Sequence, residues 1–264
     1  MAKTQKELAY LRDLYLDEEW TRRFTDLVDK RVDLSDAENA LYLNAGTGTH
    51  AIYLGEKFGE TTDIFAACEN DDLLSISRDK AAALSSKVDF STITFESDAF
   101  DAVLADASLA QSNEIEGRIE DAARVARVGG DVVVFLPGTG SFGEIFSLLW
   151  EVLFSEGLGE HGHAAEEMIT KLPTVTALES IAERVGLVNV RTDVANEIFE
   201  FDNGAAFVKS PLIADFLMPV WLAALGENNK ERVIDGLARL IDEEDGTLSF
   251  RFSVKAMLLT GEKG

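Results

Sequence analysis

The stretch Leu41-Tyr-Leu-Asn-Ala-Gly-Thr-Gly-Thr-His-Ala51 joins an apolar run to a glycine-rich turn and then to a helical pattern. Glycine at Gly46 and Gly48 lets the backbone take positive φ and approach a ligand closely, and the first N–H groups of the following helix attract an anionic group. About 20 residues further on, the apolar run 64–68 ends in Glu69, where a carboxylate can bind the two hydroxyls of a ribose. The turn and the acid together predict a nucleotide-cofactor site.

Strand-like and helix-like patterns alternate around this turn. The predicted strands lie near 39–44, 63–68, 88–93, 100–105 and 131–136, and the predicted helices near 48–58, 71–86, 112–127 and 174–185. The alternation is typical of an α/β fold, here a Rossmann-like, doubly wound, mostly parallel sheet with a ligand site at the carboxyl ends of its strands. Two later strands, 188–201 and 248–259, flank helical stretches near 205–226 and 229–243. They can pair in antiparallel fashion only across that helical insertion.

At 264 residues the chain has the length of one α/β domain with elaborations. We expect a single domain over 1–264, divided into N-terminal helices (1–37), a cofactor-binding core (38–138), a helical lid (139–172) and a C-terminal part of the sheet with a helical insertion (173–264). The lid is expected because a strongly apolar helical pattern directly follows the fifth strand, at the sheet edge where ligands bind.

Apolar side chains of the lid and of the later insertion can form an apolar acceptor pocket. Core packing or a dimer surface is the favoured alternative. These residues are Phe142, Phe146, Leu149, Trp150 and Leu153 in the lid, and Phe216, Leu217 and Trp221 in the insertion.

The chain is strongly acidic, with 48 Asp and Glu against 24 Lys and Arg and a formal net charge of −24. This charge repels nucleic acid, so no nucleic-acid partner is expected. Cys68 is the only cysteine, which excludes an internal disulfide and fits a reducing compartment. The charged N-terminus has no apolar core of a secretion signal, and no apolar run reaches the roughly 20 residues of a membrane span, so we expect a cytoplasmic protein.

Four stretches together resemble class I S-adenosylmethionine-dependent methyltransferases: 40–51 with the glycine turn, Glu69, 95–106 and 128–135. The resemblance implies that the turn holds the methionine part of S-adenosylmethionine, that the acid holds the ribose, and that the end of the fourth strand borders the methyl group. The first motif is degenerate, because Tyr42 replaces the usual Asp and Asn44 the first loop glycine. Asn is the residue other than glycine that best tolerates positive φ. The implied cofactor-binding residues are Asn44, Ala45, Gly46, Thr47, Gly48, Glu69, Asn70 and Asp106.

The resemblance implies methyl transfer to a small-molecule acceptor that the sequence does not identify. Two alternatives stay open. The pattern Gly46-x-Gly48-x-x-Ala51 also satisfies the dinucleotide fingerprint of a nicotinamide-dependent oxidoreductase. A non-catalytic scaffold of the same fold is the second alternative.

The histidines offer a general-base hypothesis. His161 and His163 stand in a stretch with neighbouring glutamates, where they either face the substrate as a base or lie in a solvated loop entering a helix. No ligand spacing such as His-Glu-x-x-His occurs, so no metal site is expected.

Overall fold

The computed structural model describes residues 3–245 and 249–264, with the side chains of 165, 168–170, 244 and 245 outside the description. The chain divides into two compact units. The first consists of Met1–Leu136, Thr174–Ala195 and Ala256–Gly264, and the second of Pro137–Pro173 and Asn196–Lys255. The four-part division expected from the sequence stays a prediction.

Seven strands form one sheet: β1 Asn39–Leu43, β2 Asp63–Ala67, β3 Asp89–Ser91, β4 Phe100–Asp106, β5 Ala126–Pro137, β6 Leu187–Phe201 and β7 Phe250–Lys263. Their order is β3-β2-β1-β4-β5-β7-β6. The first five strands pair in parallel. β7 runs antiparallel to β5: the N–H of Gly138, just after β5, donates to the carbonyl of Lys255 in the first half of β7 at 2.8 Å, and Lys263 Nζ near the end of β7 donates to the carbonyl of Ala126 at the start of β5 at 2.8 Å. The predicted fold class is confirmed.

Helices connect and cover these strands. In the first unit they are α1 Gln5–Leu11, α2 Arg22–Arg31, α3 Thr49–Phe58, α4 Asp71–Leu84, α5 Ile115–Val125 and α8 Val175–Arg184, with a π-helical segment at Arg12–Thr21 between α1 and α2. In the second unit they are α6 Gly143–Ser155, α7 Gly162–Thr170, α9 Gly204–Lys209, α10 Met218–Trp221 and α11 Glu227–Asp245, with a 3-10 turn at Gly159–His161 and a π-helical segment at Leu212–Leu217. Among the described helices none is long and apolar enough to cross a membrane.

One side of the first unit's sheet packs against α5 and α8. The buried cluster there combines strand residues such as Leu41, Val103 and Val134 with Ile119 of α5 and Leu178 of α8. Burial of these apolar side chains fixes the strands, and the loops at their carboxyl ends are placed as a consequence.

The fifth strand begins earlier than predicted. The sequence predicted a helix near 112–127 and a strand near 131–136, but α5 ends at Val125 and β5 starts at Ala126. Gly129, with φ 75°, and Gly130 lie where the register between β4 and β5 shifts. A Cβ at Gly130 would come within 2.9 Å of the carbonyl oxygens of β4. The glycines therefore serve a β-bulge and not a helix end.

The segment predicted as a lid is helical, as expected. Most of the apolar side chains named for it, and Trp221 of the insertion, are buried inside the second unit. Phe142 lies 5.4 Å from the ring of Trp221 and 6.0 Å from the ring of Phe252, whereas Trp150 is exposed. This burial matches the core-packing alternative, and the role of 139–172 as a lid stays a prediction.

Candidate functional site

The glycine turn after β1 has the predicted backbone geometry. Asn44, Gly46 and Gly48 have φ of 56°, 57° and 78°. The N–H of Ala45 donates to the carbonyl of Ala67 at 2.9 Å, which ties the turn to the end of β2. α3 begins at once after the turn, so its first N–H groups point out of the sheet edge without intrahelical acceptors. The turn is therefore built to present backbone to a ligand.

Glu69 stands beside this turn, two residues after β2. Its Oε2 accepts a hydrogen bond from the N–H of Gly46 at 3.1 Å, and its Oε1 accepts one from Arg12 Nη1 at 2.5 Å. A carboxylate has about four lone-pair sites, so the group retains capacity for further donors. Asn70, the next residue, caps α4 by accepting from the N–H of Leu73 at 3.0 Å.

Asp106 ends β4 and is almost fully buried. Its Oδ1 accepts a hydrogen bond from the N–H of Ser108 at 2.7 Å, and its Oδ2 lies 3.7 Å from Arg12 Nη2. Burial raises the pKa of the Asp106 carboxyl, while the charge of Arg12 and the bond from Ser108 offset part of that rise. Asp106 and Glu69 thus face one shared cation.

Arg12 is the site residue that the sequence reasoning missed. Burial lowers the pKa of its guanidinium, but the charges of Glu69, Asp106 and Asp17 outweigh burial and raise it, so the group stays charged. The available signal was spacing: Arg12, Leu16 and Trp20 lie four residues apart and form the buried face of the π-helical segment. A cation on the apolar face of a helix implies a buried acid elsewhere.

The π-helical segment also holds the glycine turn through Asp17. Its Oδ2 accepts hydrogen bonds from the hydroxyls of Thr47, at 2.6 Å, and of Thr49. Lys80 of α4 donates to the same two hydroxyls, at 3.1 and 2.6 Å, and forms an ion pair with Asp13. The turn is thereby enclosed by charged groups from two helical segments.

A cavity of about 620 Å³ opens between the N-terminal helical segments and the carboxyl ends of β1 and β4. It is lined by polar groups and not by the apolar set expected from the sequence. Six carboxylates line it against three cationic side chains. The carboxylates are Asp13, Asp17, Glu18, Asp26, Asp29 and Asp106, the cations are Arg12, Arg22 and Lys80, and Tyr42, Ala45, Thr49, His50 and Tyr53 complete the lining together with Thr21 and Thr25.

The structure therefore brings Asn44, the turn, Glu69 and Asp106 to one sheet edge of the first unit. The other two predicted candidates, His161 and His163, belong to the second unit. The side chain of His163 is 79% exposed and lies 3.7 Å from Glu166, and its proposed role as a base stays a prediction. Within the described residues no group of three or more His, Cys, Asp or Glu side chains could hold a metal ion.

Residues 41–134 match the family model of a methyltransferase domain. No curated protein matches the sequence. The match runs from within β1 to within β5 and contains every predicted cofactor-binding residue. This matched family agrees with the resemblance found in the sequence. A methyltransferase domain implies S-adenosylmethionine as the cofactor, which also agrees with that resemblance.

Solved structures agree on the fold. The YcgJ protein of Bacillus subtilis aligns with a TM-score of 0.59 at 11% identity, covering 92% of this chain and 98% of its own. Phosphoethanolamine N-methyltransferase 2 of Haemonchus contortus aligns at 0.56 and 12% identity, covering 98% of this chain and 57% of its own. Geranyl diphosphate C-methyltransferase of Streptomyces coelicolor aligns at 0.51 and 12% identity, covering 94% and 81%. At these identities the similarity shows the fold alone.

Proposed function

We propose, for a chain whose residues 41–134 form a methyltransferase domain, that it transfers the methyl group of S-adenosylmethionine to a small-molecule acceptor in the cavity beside the glycine turn. The observation that carries the proposal is the position of Glu69, which is bonded to Gly46 within the turn and lies beside the cavity wall formed by Arg12 and Asp106. Cofactor and acceptor sites are thus adjacent.

The residues at the sheet edge fit the cofactor. Glu69 has lone pairs for ribose hydroxyls, and the turn has backbone groups for the methionine part. One buried hydroxyl oxygen, Ser91 Oγ at the end of β3, finds no hydrogen-bond partner among the described residues. Such an orphaned group near the carboxyl ends of the strands is expected where a polar ligand binds. Arg12 lies on Glu69, so the ribose must share that carboxylate with the guanidinium or displace it.

Bound S-adenosylmethionine would supply a reactive methyl group with a neutral leaving group, which leaves the protein the tasks of alignment and exclusion of water. Because the cofactor would supply the reactive group, the protein needs no nucleophile of its own. A small-molecule acceptor and a cytoplasmic location are part of this proposal.

The test is calorimetric titration of S-adenosylmethionine into the wild-type chain and the Glu69→Ala variant. Loss of a hydrogen bond to a charged group costs about 1.5–3 kcal/mol, so affinity should fall roughly ten- to hundredfold. Glu60→Ala, at an exposed acid after α3, is the matched control and should bind as the wild type does. Equal affinity of the Glu69→Ala variant and the wild type would remove Glu69 from the cofactor site.

A further inference from the structure

A hydrogen-bonded chain leads from the cavity wall to Asp29. Tyr42 Oη lies 3.1 Å from His50 Nδ1, and His50 Nε2 lies 3.4 Å from Asp29 Oδ1. A carboxylate accepts hydrogen bonds, so in a neutral imidazole His50 Nε2–H donates to Asp29 and the Tyr42 hydroxyl donates to His50 Nδ1. The hydrogen-bond partners favour this tautomer of His50, in which the chain runs from Tyr42 to Asp29.

Packing holds the two rings of this chain in place. Tyr42 is 2% exposed, and its ring meets that of His50 edge-on at 5.5 Å. The ring of Tyr53 stacks on that of His50, with the ring centroids 6.0 Å apart. The hydroxyl of Tyr42 donates to His50 and still has oxygen lone pairs that can accept a hydrogen bond from a molecule in the cavity. Tyr42 is also the residue that stands where the methyltransferase motif usually has an Asp.

The charges around the cavity indicate which class of molecule can bind there. Its six carboxylates outnumber its three cationic side chains, so the local potential attracts a cation and repels an anionic acceptor. The charged groups that act on the Tyr42 hydroxyl are Asp106 from β4, Asp17 and Arg12 from the π-helical segment, and Glu69 after β2. Burial, together with Asp106 and Asp17, raises the pKa of Tyr42 well above its ordinary value. Tyr42 therefore stays a neutral hydroxyl that relays a proton and does not become a phenolate.

We propose that the acceptor is a small amine that enters the cavity as an ammonium ion, and that Tyr42 and His50 remove its proton before methylation. This inference rests on the proposed methyl transfer. The N–H proton of the ammonium passes to Tyr42 Oη as the Tyr42 proton passes to His50 Nδ1, which leaves an imidazolium paired with Asp29. The freed nitrogen lone pair forms the new N–C bond, and the electron pair of the broken C–S bond stays on the departing sulfur.

Tyr42 touches the acceptor in this scheme, and His50 and Asp29 act through it. The first test needs no acceptor. Long-range ¹H–¹⁵N spectra of the full chain with labelled histidine should show His50 protonated at Nε2, with its signals assigned by their loss in His50→Gln. Tyr42→Phe should shift the Nδ1 resonance of His50, whereas Tyr15→Phe, at an exposed tyrosine outside the cavity, should not. A His50 protonated at Nδ1, or one unaffected by Tyr42→Phe, would overturn the relay.

The second test measures methyl transfer from radiolabelled S-adenosylmethionine to ethanolamine, putrescine and tyramine as amine probes. At least one should be methylated. For that amine, Tyr42→Phe and His50→Gln should lower kcat by about 10²- to 10⁴-fold, the range of general acid–base catalysis, with a much smaller change in the KM for S-adenosylmethionine. Imidazole should restore part of the activity of His50→Ala. Asp29→Asn is compared in the same assay with Asp36→Asn, its matched control at an exposed acid.

Three results distinguish failure of the amine acceptor or of the relay from failure of methyl transfer itself. Binding of S-adenosylmethionine without methylation of any of the three amines would refute the amine acceptor. Methylation that survives both Tyr42→Phe and His50→Gln would refute the relay and leave methyl transfer standing. Absence of S-adenosylmethionine binding in calorimetry would refute the proposed function itself.

Discussion

Arg12 connects the two acids of the candidate site, the buried Asp106 and the more exposed Glu69. Its guanidinium is 2.5 Å from Glu69 and 3.7 Å from Asp106, and three of its atoms lie within 2.8 Å of where a Cβ on Gly46 would stand. Sequence reasoning found both acids, because each follows an apolar strand. It did not find Arg12: the spacing of Arg12 with Leu16 and Trp20 indicates a buried cation, but its partner Glu69 lies 57 positions away in the sequence.

Removal of this cation should destabilise the fold. In Arg12→Met the buried Asp106 loses its counter-ion, and breaking a buried ion pair by removing one partner costs about 3–5 kcal/mol. Urea unfolding of the variant measures this loss. The control is Arg184→Met, whose exposed pair with Glu116 at 2.6 Å should contribute at most about 1 kcal/mol. Equal stability of the two variants would show that Arg12 does not stabilise the site.

Substitution of Gly46 tests the turn. In Gly46→Val a β-branched side chain meets positive φ, which costs roughly 1–2 kcal/mol, and it also meets the Arg12 guanidinium at 2.7 Å. We expect lower thermal stability and loss of S-adenosylmethionine binding, measured by calorimetry. Gly117→Val, on α5 with open space around it, should keep both properties. Normal cofactor binding by the Gly46→Val variant would mean that the turn does not hold the ligand.

The N-terminal helical run shows how an element can differ from its pattern. The sequence predicted N-terminal helices over 1–37, and the structure has a π-helical segment between α1 and α2. The buried face of that segment consists of Arg12, Leu16 and Trp20, whereas the apolar side chains of Leu14 and Tyr15 are exposed. A pattern of apolar residues does not include ion pairs, such as the one with Glu69 that holds the charged Arg12 on the buried face.

The same segment should respond to the cofactor. Arg12 and Asp17 contact Glu69 and the turn, so binding of S-adenosylhomocysteine should slow amide hydrogen exchange in residues 12–21 relative to the free chain. Exchange in α5, on the other side of β4, serves as the internal control and should stay the same. Unchanged exchange in 12–21 at saturating ligand would separate this segment from the cofactor site.

The ends of helices and strands that lie next to glycines or to a single acid were predictable from the sequence. Features that depend on contacts between residues far apart in the sequence were not. Gly46 and Gly48 mark the end of β1 and the start of α3, and Glu69 marks the end of β2, so these boundaries followed from the sequence. The early start of β5 did not, because a bulge at Gly129 extends the strand beyond its apolar run. The chain from Tyr42 to Asp29 was also invisible, because it joins β1, α3 and α2 only after folding.

At the scale of the molecule, the net charge of −24 opposes compaction. Raising NaCl from about 0.1 M to about 1 M shortens the Debye length from about 10 Å to about 3 Å and screens this repulsion. We expect the midpoint of thermal unfolding to rise with salt. The rise should shrink as the pH approaches the sequence pI of about 4.4. A midpoint that stays constant or falls with NaCl at neutral pH would show that self-repulsion is not a significant cost.

Side-by-side calorimetric titration of the wild-type chain with S-adenosylmethionine, S-adenosylhomocysteine, NAD and NADP tests the central claim most directly. The methyltransferase fold, the glycine turn and Glu69 predict binding of the first two and none of the nicotinamide cofactors. Binding of NAD or NADP in their place would support the oxidoreductase alternative, and binding of none of the four would support a scaffold. Either result would contradict methyl transfer.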